Sequence, residues 1–73
     1  MKVIDSDDIC PVLMIKLLRL WNEVVNDEEV IIKTPWEAVV EEVKKWCEYT
    51  GNEFLSADKI QGKYAIKIIL HKK

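Results

Sequence analysis

The stretch Asp8-Ile9-Cys10-Pro11-Val12-Leu13-Met14 falls where a short strand should end and a first helix should begin. Pro11 suits the first helical position, because the N–H of that residue has no intrahelical partner and proline's φ is already close to helical. Cys10 then falls at the N-cap. Its sulfur can face the amides of Val12 and Leu13 and the positive end of the helix dipole. That setting favours thiolate, the form of cysteine that does chemistry. Cysteine also serves as a small buried hydrophobe. Here the thiol stands at a helix mouth rather than on a packed face, which favours the reactive reading.

Upstream, Lys2 to Asp5 reads as a short strand, and Ser6-Asp7-Asp8 as a polar turn whose Ser6 or Asp8 can help cap the helix. Downstream, Pro11 to Val25 is strong helix material. Leu13, Leu17, Leu20 and Val24 repeat at helical spacing, joined by Met14, Leu18, Trp21 and Val25, with Lys16, Arg19, Asn22 and Glu23 opposite. So wide an apolar arc suits a helix lying flat on a sheet. Asn26-Asp27 ends it. Glu28 to Lys33 follows, and the continuous run Val30-Ile31-Ile32 marks a central strand. Strand, helix and strand in that order predict a crossover unit.

Thr34-Pro35-Trp36-Glu37 has the form of a capping box with proline at the first helical position. The second helix buries Trp36, Val39, Val40, Val43, Trp46 and Cys47, and Gly51 is its left-handed stop. Glu53 to Asp58 is a short edge strand, Lys59-Ile60-Gln61-Gly62 a turn, and Lys63 to His71 a strand with Tyr64, Ile66, Ile68 and Leu70 on one face. The expected fold is α+β: a two-layer β-α-β-α-β-β sandwich with both helices on one face of the sheet.

Composition narrows the function classes. Seventy-three residues make one domain, spanning 1–73, with a small core. At 49% hydrophobic and 33% charged, the composition is that of an ordered globular chain. A net charge of −2 supplies no basic field for nucleic acid. Met1-Lys2-Val3-Ile4 runs straight into Asp5, Asp7 and Asp8, so no secretory signal is expected, and no apolar run is long enough for a membrane span. A cytoplasmic location follows, and in that reducing compartment Cys10 and Cys47 are expected as free thiols, Cys47 in the core.

With the elements placed, the chain resembles the TusA/SirA-type small sulfur carriers. The resemblance rests on Cys10-Pro11 opening the first helix after a short strand. It rests also on Trp46-Cys47-Glu48-Tyr49-Thr50-Gly51-Asn52-Glu53-Phe54-Leu55 and on the closing Gly62-Lys63-Tyr64-Ala65-Ile66-Lys67-Ile68. It implies a mixed four-stranded sheet in the order 1-2-4-3. It implies further that Cys10, beside the motif proline Pro11 and the helix-start residues Val12 and Leu13, receives sulfur as a persulfide and hands it on. The implied partners are a sulfur donor, such as a cysteine desulfurase or a rhodanese-like protein, and a downstream acceptor protein. The chain departs from the family pattern in three places. Leu13 stands where a second motif proline is usual, Ser6-Asp7-Asp8 where Arg-Gly-Leu is usual, and Glu42-Val43-Lys44 where Asp-Ile-Pro is usual.

The expectation is therefore a sulfurtransferase-type carrier rather than a self-sufficient enzyme. The alternative is a module of the same fold that binds or regulates without transferring sulfur. Asp7 and Asp8 beside Cys10 oppose a further negative charge there. The open sheet face, with Ala65 and Ile69, suits a monomer or a weak homodimer. His71 is the lone histidine and reads as a surface residue, with no triad legible around it. Two distant cysteines and one histidine are no spaced ligand set, so no metal and no cofactor are expected. Trp21, Trp36 and Trp46 read as core.

Overall fold

A computed structural model describes residues 2–72, the side chain of Cys10 excepted. The elements are β1 (Lys2–Asp5), α1 (Cys10–Glu23), β2 (Glu28–Thr34), α2 (Glu37–Thr50), β3 (Glu53–Ile60) and β4 (Lys63–Leu70). The sheet is four-stranded in the order β1-β2-β4-β3. β1 pairs parallel with β2, so α1 is the crossover between them. β2 pairs antiparallel with β4, and β4 with β3.

The core follows from strand alternation meeting helical period. Val30 and Ile32 from β2, with Ile66, Ile68 and Leu70 from β4, point to one face of the sheet and are fully buried. Leu13 and Leu17 of α1 and Val39, Val43 and Cys47 of α2 complete the same cluster. Both helices therefore cover one face. The rings of Trp21 and Trp46 meet edge to face at 5.2 Å where the helices pack, as expected of core tryptophans.

α1 begins one residue earlier than expected. Ile9, extended at φ −71° and ψ 165°, is its N-cap, which leaves Cys10 as the first helical residue and Pro11 as the second. Proline lacks an N–H and fits either position in a first turn. α1 also ends earlier, at Glu23, because Val24 turns extended at ψ 125° with its N–H on the Trp21 carbonyl at 3.3 Å.

The capping box on α2 does not form. Thr34 remains in β2, paired with Tyr64 and fully buried. Its hydroxyl instead accepts from the Trp36 amide at 3.2 Å, and Trp36 is the N-cap. The expected stop does form: Gly51 sits at φ 79° with its N–H on the Cys47 carbonyl at 3.0 Å. β3 runs to Ile60, two residues past the expected end, because Lys59 and Ile60 pair with Tyr64 and Lys63. The turn shrinks to Gln61 and Gly62, at φ 50° and 82°, the two positive values that a tight hairpin requires. Among the described residues no helix is long and apolar enough to cross a membrane.

Candidate functional site

The loop of residues 6–9 carries the chain from β1 into Cys10, and it is tied down at each residue. The Ser6 amide donates to the Lys33 carbonyl at 3.1 Å, which extends the β1–β2 pairing one step. The Ser6 hydroxyl donates to Asp8 Oδ2 at 2.7 Å and accepts from the Asp8 amide at 3.1 Å. Ser6 is buried at 7% exposure, so its hydroxyl needs such partners. Ser6 and Asp8 thus serve each other, and neither caps α1, contrary to expectation.

The charges around the loop are paired. Lys16, on α1, reaches Asp8 Oδ2 at 2.6 Å. The Lys16 ammonium, and after it the Ser6 hydroxyl, hold the Asp8 carboxyl below the usual carboxylate range. Lys63, at the start of β4, lies 3.2 Å from Asp5 and 3.4 Å from Asp7. Its bond to Asp5, then the charges of Asp5 and Asp7, push its ammonium above the usual lysine value. Asp7 and Asp8, expected to oppose a further negative charge at Cys10, each have a lysine partner, although pairs this exposed contribute little stability each.

At the helix mouth the amides of Val12 and Leu13 both donate to the Ile9 carbonyl, each at 3.1 Å. They were expected to be open to the Cys10 sulfur and are instead engaged, because the helix closes its first ring on Ile9. Cys10 remains at the positive end of the α1 dipole. The direction in which its thiol points lies outside the described residues. Of its neighbours, Pro11 and Val12 are exposed and Leu13 is a core residue, fully buried.

One contact comes from α2's side. The Trp36 indole N–H donates to the Asp7 carbonyl at 2.9 Å. Trp36 is 47% exposed, which corrects its assignment to the buried stripe. As the N-cap of α2 it lies outside the helical period that would have carried it inward. Trp36, Lys16 and Lys63 were missed as site residues. The indole bond spans 29 residues of sequence and the Lys63–Asp5 bond 58, beyond any local pattern.

The remaining polar candidates lie elsewhere. Cys47 is a free, buried thiol, and burial pushes it up to about 11. His71 is not isolated: Nδ1 is 3.1 Å from Asp27 and Nε2 is 3.7 Å from Glu53. That cluster stands at the Glu28–Leu70 end of the sheet, while Cys10 follows the Asp5–Lys33 end. At ~3.3 Å per residue the length of β2 puts roughly 20 Å between them. Among the described residues no group of three or more His, Cys, Asp or Glu could hold a metal ion.

Two helices on one face of a sheet ordered β1-β2-β4-β3 define the SirA-like class of fold. The crystal structure of a SirA-like protein from Desulfitobacterium hafniense is similar with a TM-score of 0.85 over 97% of this chain and 99% of that one, at 19% identity. A family model described as sulfurtransferase TusA matches residues 5–70, and the chain belongs to that family. No curated protein matches the chain.

Proposed function

We propose that residues 1–73 act as one sulfur-carrier unit whose working atom is the Cys10 sulfur. The observation that carries the reading is the family match over residues 5–70, joined to the placement of Cys10 as the first residue of α1. The Cys10 thiolate attacks the terminal sulfur of a donor protein's persulfide. A new S–S bond forms to Cys10, the donor's S–S bond breaks, and the electron pair leaves on the donor's inner sulfur as thiolate. The proton lost by Cys10 goes to solvent. No net oxidation or reduction occurs, and the product is Cys10 bearing one additional sulfur. Discharge repeats the exchange with an acceptor thiolate.

The donor is a cysteine desulfurase or a rhodanese-like protein, the acceptor a further protein, and the setting the reducing cytoplasm. Pro11 fixes the backbone of the first turn. Val12 offers an exposed apolar contact beside Cys10, and Leu13 anchors the turn in the core. The protein needs a reachable thiolate and a docking surface, not an acid–base pair.

The test is transfer itself. The protein is loaded with isotope-labelled sulfur from a desulfurase, separated from it, and offered to an acceptor thiol. Label should leave only a protein with Cys10 intact, and Cys10→Ser should neither load nor discharge.

A second reading, a binding or regulatory module without transfer, draws on the engaged amides of Val12 and Leu13. A Cys10 thiol titrating at or above the free value of ~8.5 favours that reading, and one well below it favours the carrier.

A further inference from the structure

One peptide plane in the loop before Cys10 is gripped from both sides. Its carbonyl, on Asp7, accepts the Trp36 indole N–H at 2.9 Å. Its amide, on Asp8, donates to the Ser6 hydroxyl at 3.1 Å. The grip from Ser6 is local to the loop, whereas the grip from Trp36 has a separate and rigid base. The Trp36 amide is held by the buried Thr34 hydroxyl at 3.2 Å, and its carbonyl accepts from Val39 at 3.2 Å in the first turn of α2. The indole therefore transmits the position of α2 and β2 to a plane that lies just ahead of Ile9, the N-cap of α1. With 47% of its surface exposed, Trp36 fills little of the core. The indole of this half-exposed tryptophan gives its N–H to the backbone that delivers Cys10.

We propose that Trp36 is a positioning residue for Cys10, its indole N–H fixing the Asp7–Asp8 peptide and through it the start of α1. The proposal rests on the sulfur-carrier reading for its purpose, though not for its geometry. With the plane fixed, the cysteine meets a partner's persulfide in one orientation. With it free, each encounter must wait for the loop to find that orientation.

Trp36→Phe keeps a flat aromatic ring and removes the donor together with the five-membered ring that carries it. Two measurements decide the matter. In the first, the indole N–H resonances of 15N-labelled protein are followed as Cys10 is capped as a methyl disulfide, a stable mimic of the loaded state, with Cys10→Ser as the control. The Trp36 resonance should move and the Trp21 resonance should not, since Trp21 donates to the His71 carbonyl at the other end of the sheet. In the second, sulfur loading from a desulfurase and methyl-disulfide capping are timed for the native sequence and for Trp36→Phe. Loading at saturating donor should slow about fivefold, the worth of one modest hydrogen bond, with the half-saturating donor concentration unchanged. Capping should slow by a similar factor. Native rates in Trp36→Phe, or a Trp36 resonance indifferent to the Cys10 cap, overturn the proposal. If the native protein takes no sulfur from any donor, the carrier reading fails, and the resonance and capping rates still decide the role of Trp36. If Trp36→Phe fails to fold, the resonance of the native protein decides it.

Discussion

Of the chain's two thiols, Cys47 is buried in the core and Cys10 is the proposed carrier. Cys47 is 1% exposed among Val39, Val43 and the strands, and burial pushes its thiol up from 9.0 to about 11. The folded state thus favours the neutral thiol more than the unfolded chain does. That preference stabilises the fold fully below about pH 9 and is lost as pH rises through about 11. Moving the thiol from 9.0 to about 11 corresponds to about 2–3 kcal/mol. Urea unfolding at rising alkaline pH should show this loss in the native protein and lose that component in Cys47→Ala, where the raised ammonium of Lys63 still contributes. Equal slopes in the two proteins would contradict the burial argument. At the same scale, the loop before Cys10 shows how a departure from the family pattern can be accommodated. Ser6-Asp7-Asp8 brings two carboxylates into the loop before Cys10, and Lys16 and Lys63 meet them.

Periods were legible at the scale of elements, and boundaries only in part: β1 spans Lys2–Asp5 as read, whereas both ends of α1 and the end of β3 moved. The stripe Val39, Val43 and Cys47 and the alternation Ile66, Ile68 and Leu70 depend only on local spacing, and both are buried as read. The capping box failed because Thr34 is held in β2 by its pairing with Tyr64, a fact stored 30 residues away. The β3–β4 turn was read too long for the same reason: Ile60 extends the strand only because Lys63 is opposite. Gly51 was legible because its role is local. At φ 79° it occupies the left-handed region, and a Cβ there would meet nothing within 4 Å. Gly51→Ala should therefore cost about 1 kcal/mol from backbone strain alone. A denaturant midpoint lowered by that loss divided by the slope, with the slope itself unchanged, is the expected result. No shift would mean that α2 does not depend on this stop.

For the whole molecule the limit is size. Among the described residues ten hydrophobic ones make up the buried cluster, so each carries a large share of the stability. Leu17 is fully buried beneath the middle of α1, and Leu17→Ala should cost about 2–5 kcal/mol. Against a total of roughly 5–15 kcal/mol for a typical domain, that loss should bring much of the population to the edge of unfolding at 37 °C, visible in thermal melts. A melt near the native one would mean that the core repacks. The two-layer arrangement and the crossover were legible in the residues at this scale, whereas the strand order 1-2-4-3 came from the resemblance to the TusA/SirA-type carriers. The site was legible in part. Cys10 and Pro11 are neighbours in sequence, whereas Trp36 and Lys63 reach the loop only once the sheet has formed, and Lys16 only once α1 has.

Whether sulfur resides on Cys10 is answered most directly by intact mass after incubation with a cysteine desulfurase and its substrate. The account predicts a population heavier by one sulfur atom, mapped to the peptide holding Cys10, removed by reductant and missing in Cys10→Ser. A native protein that gains no sulfur, or a Cys10→Ser protein that gains as much, would contradict it.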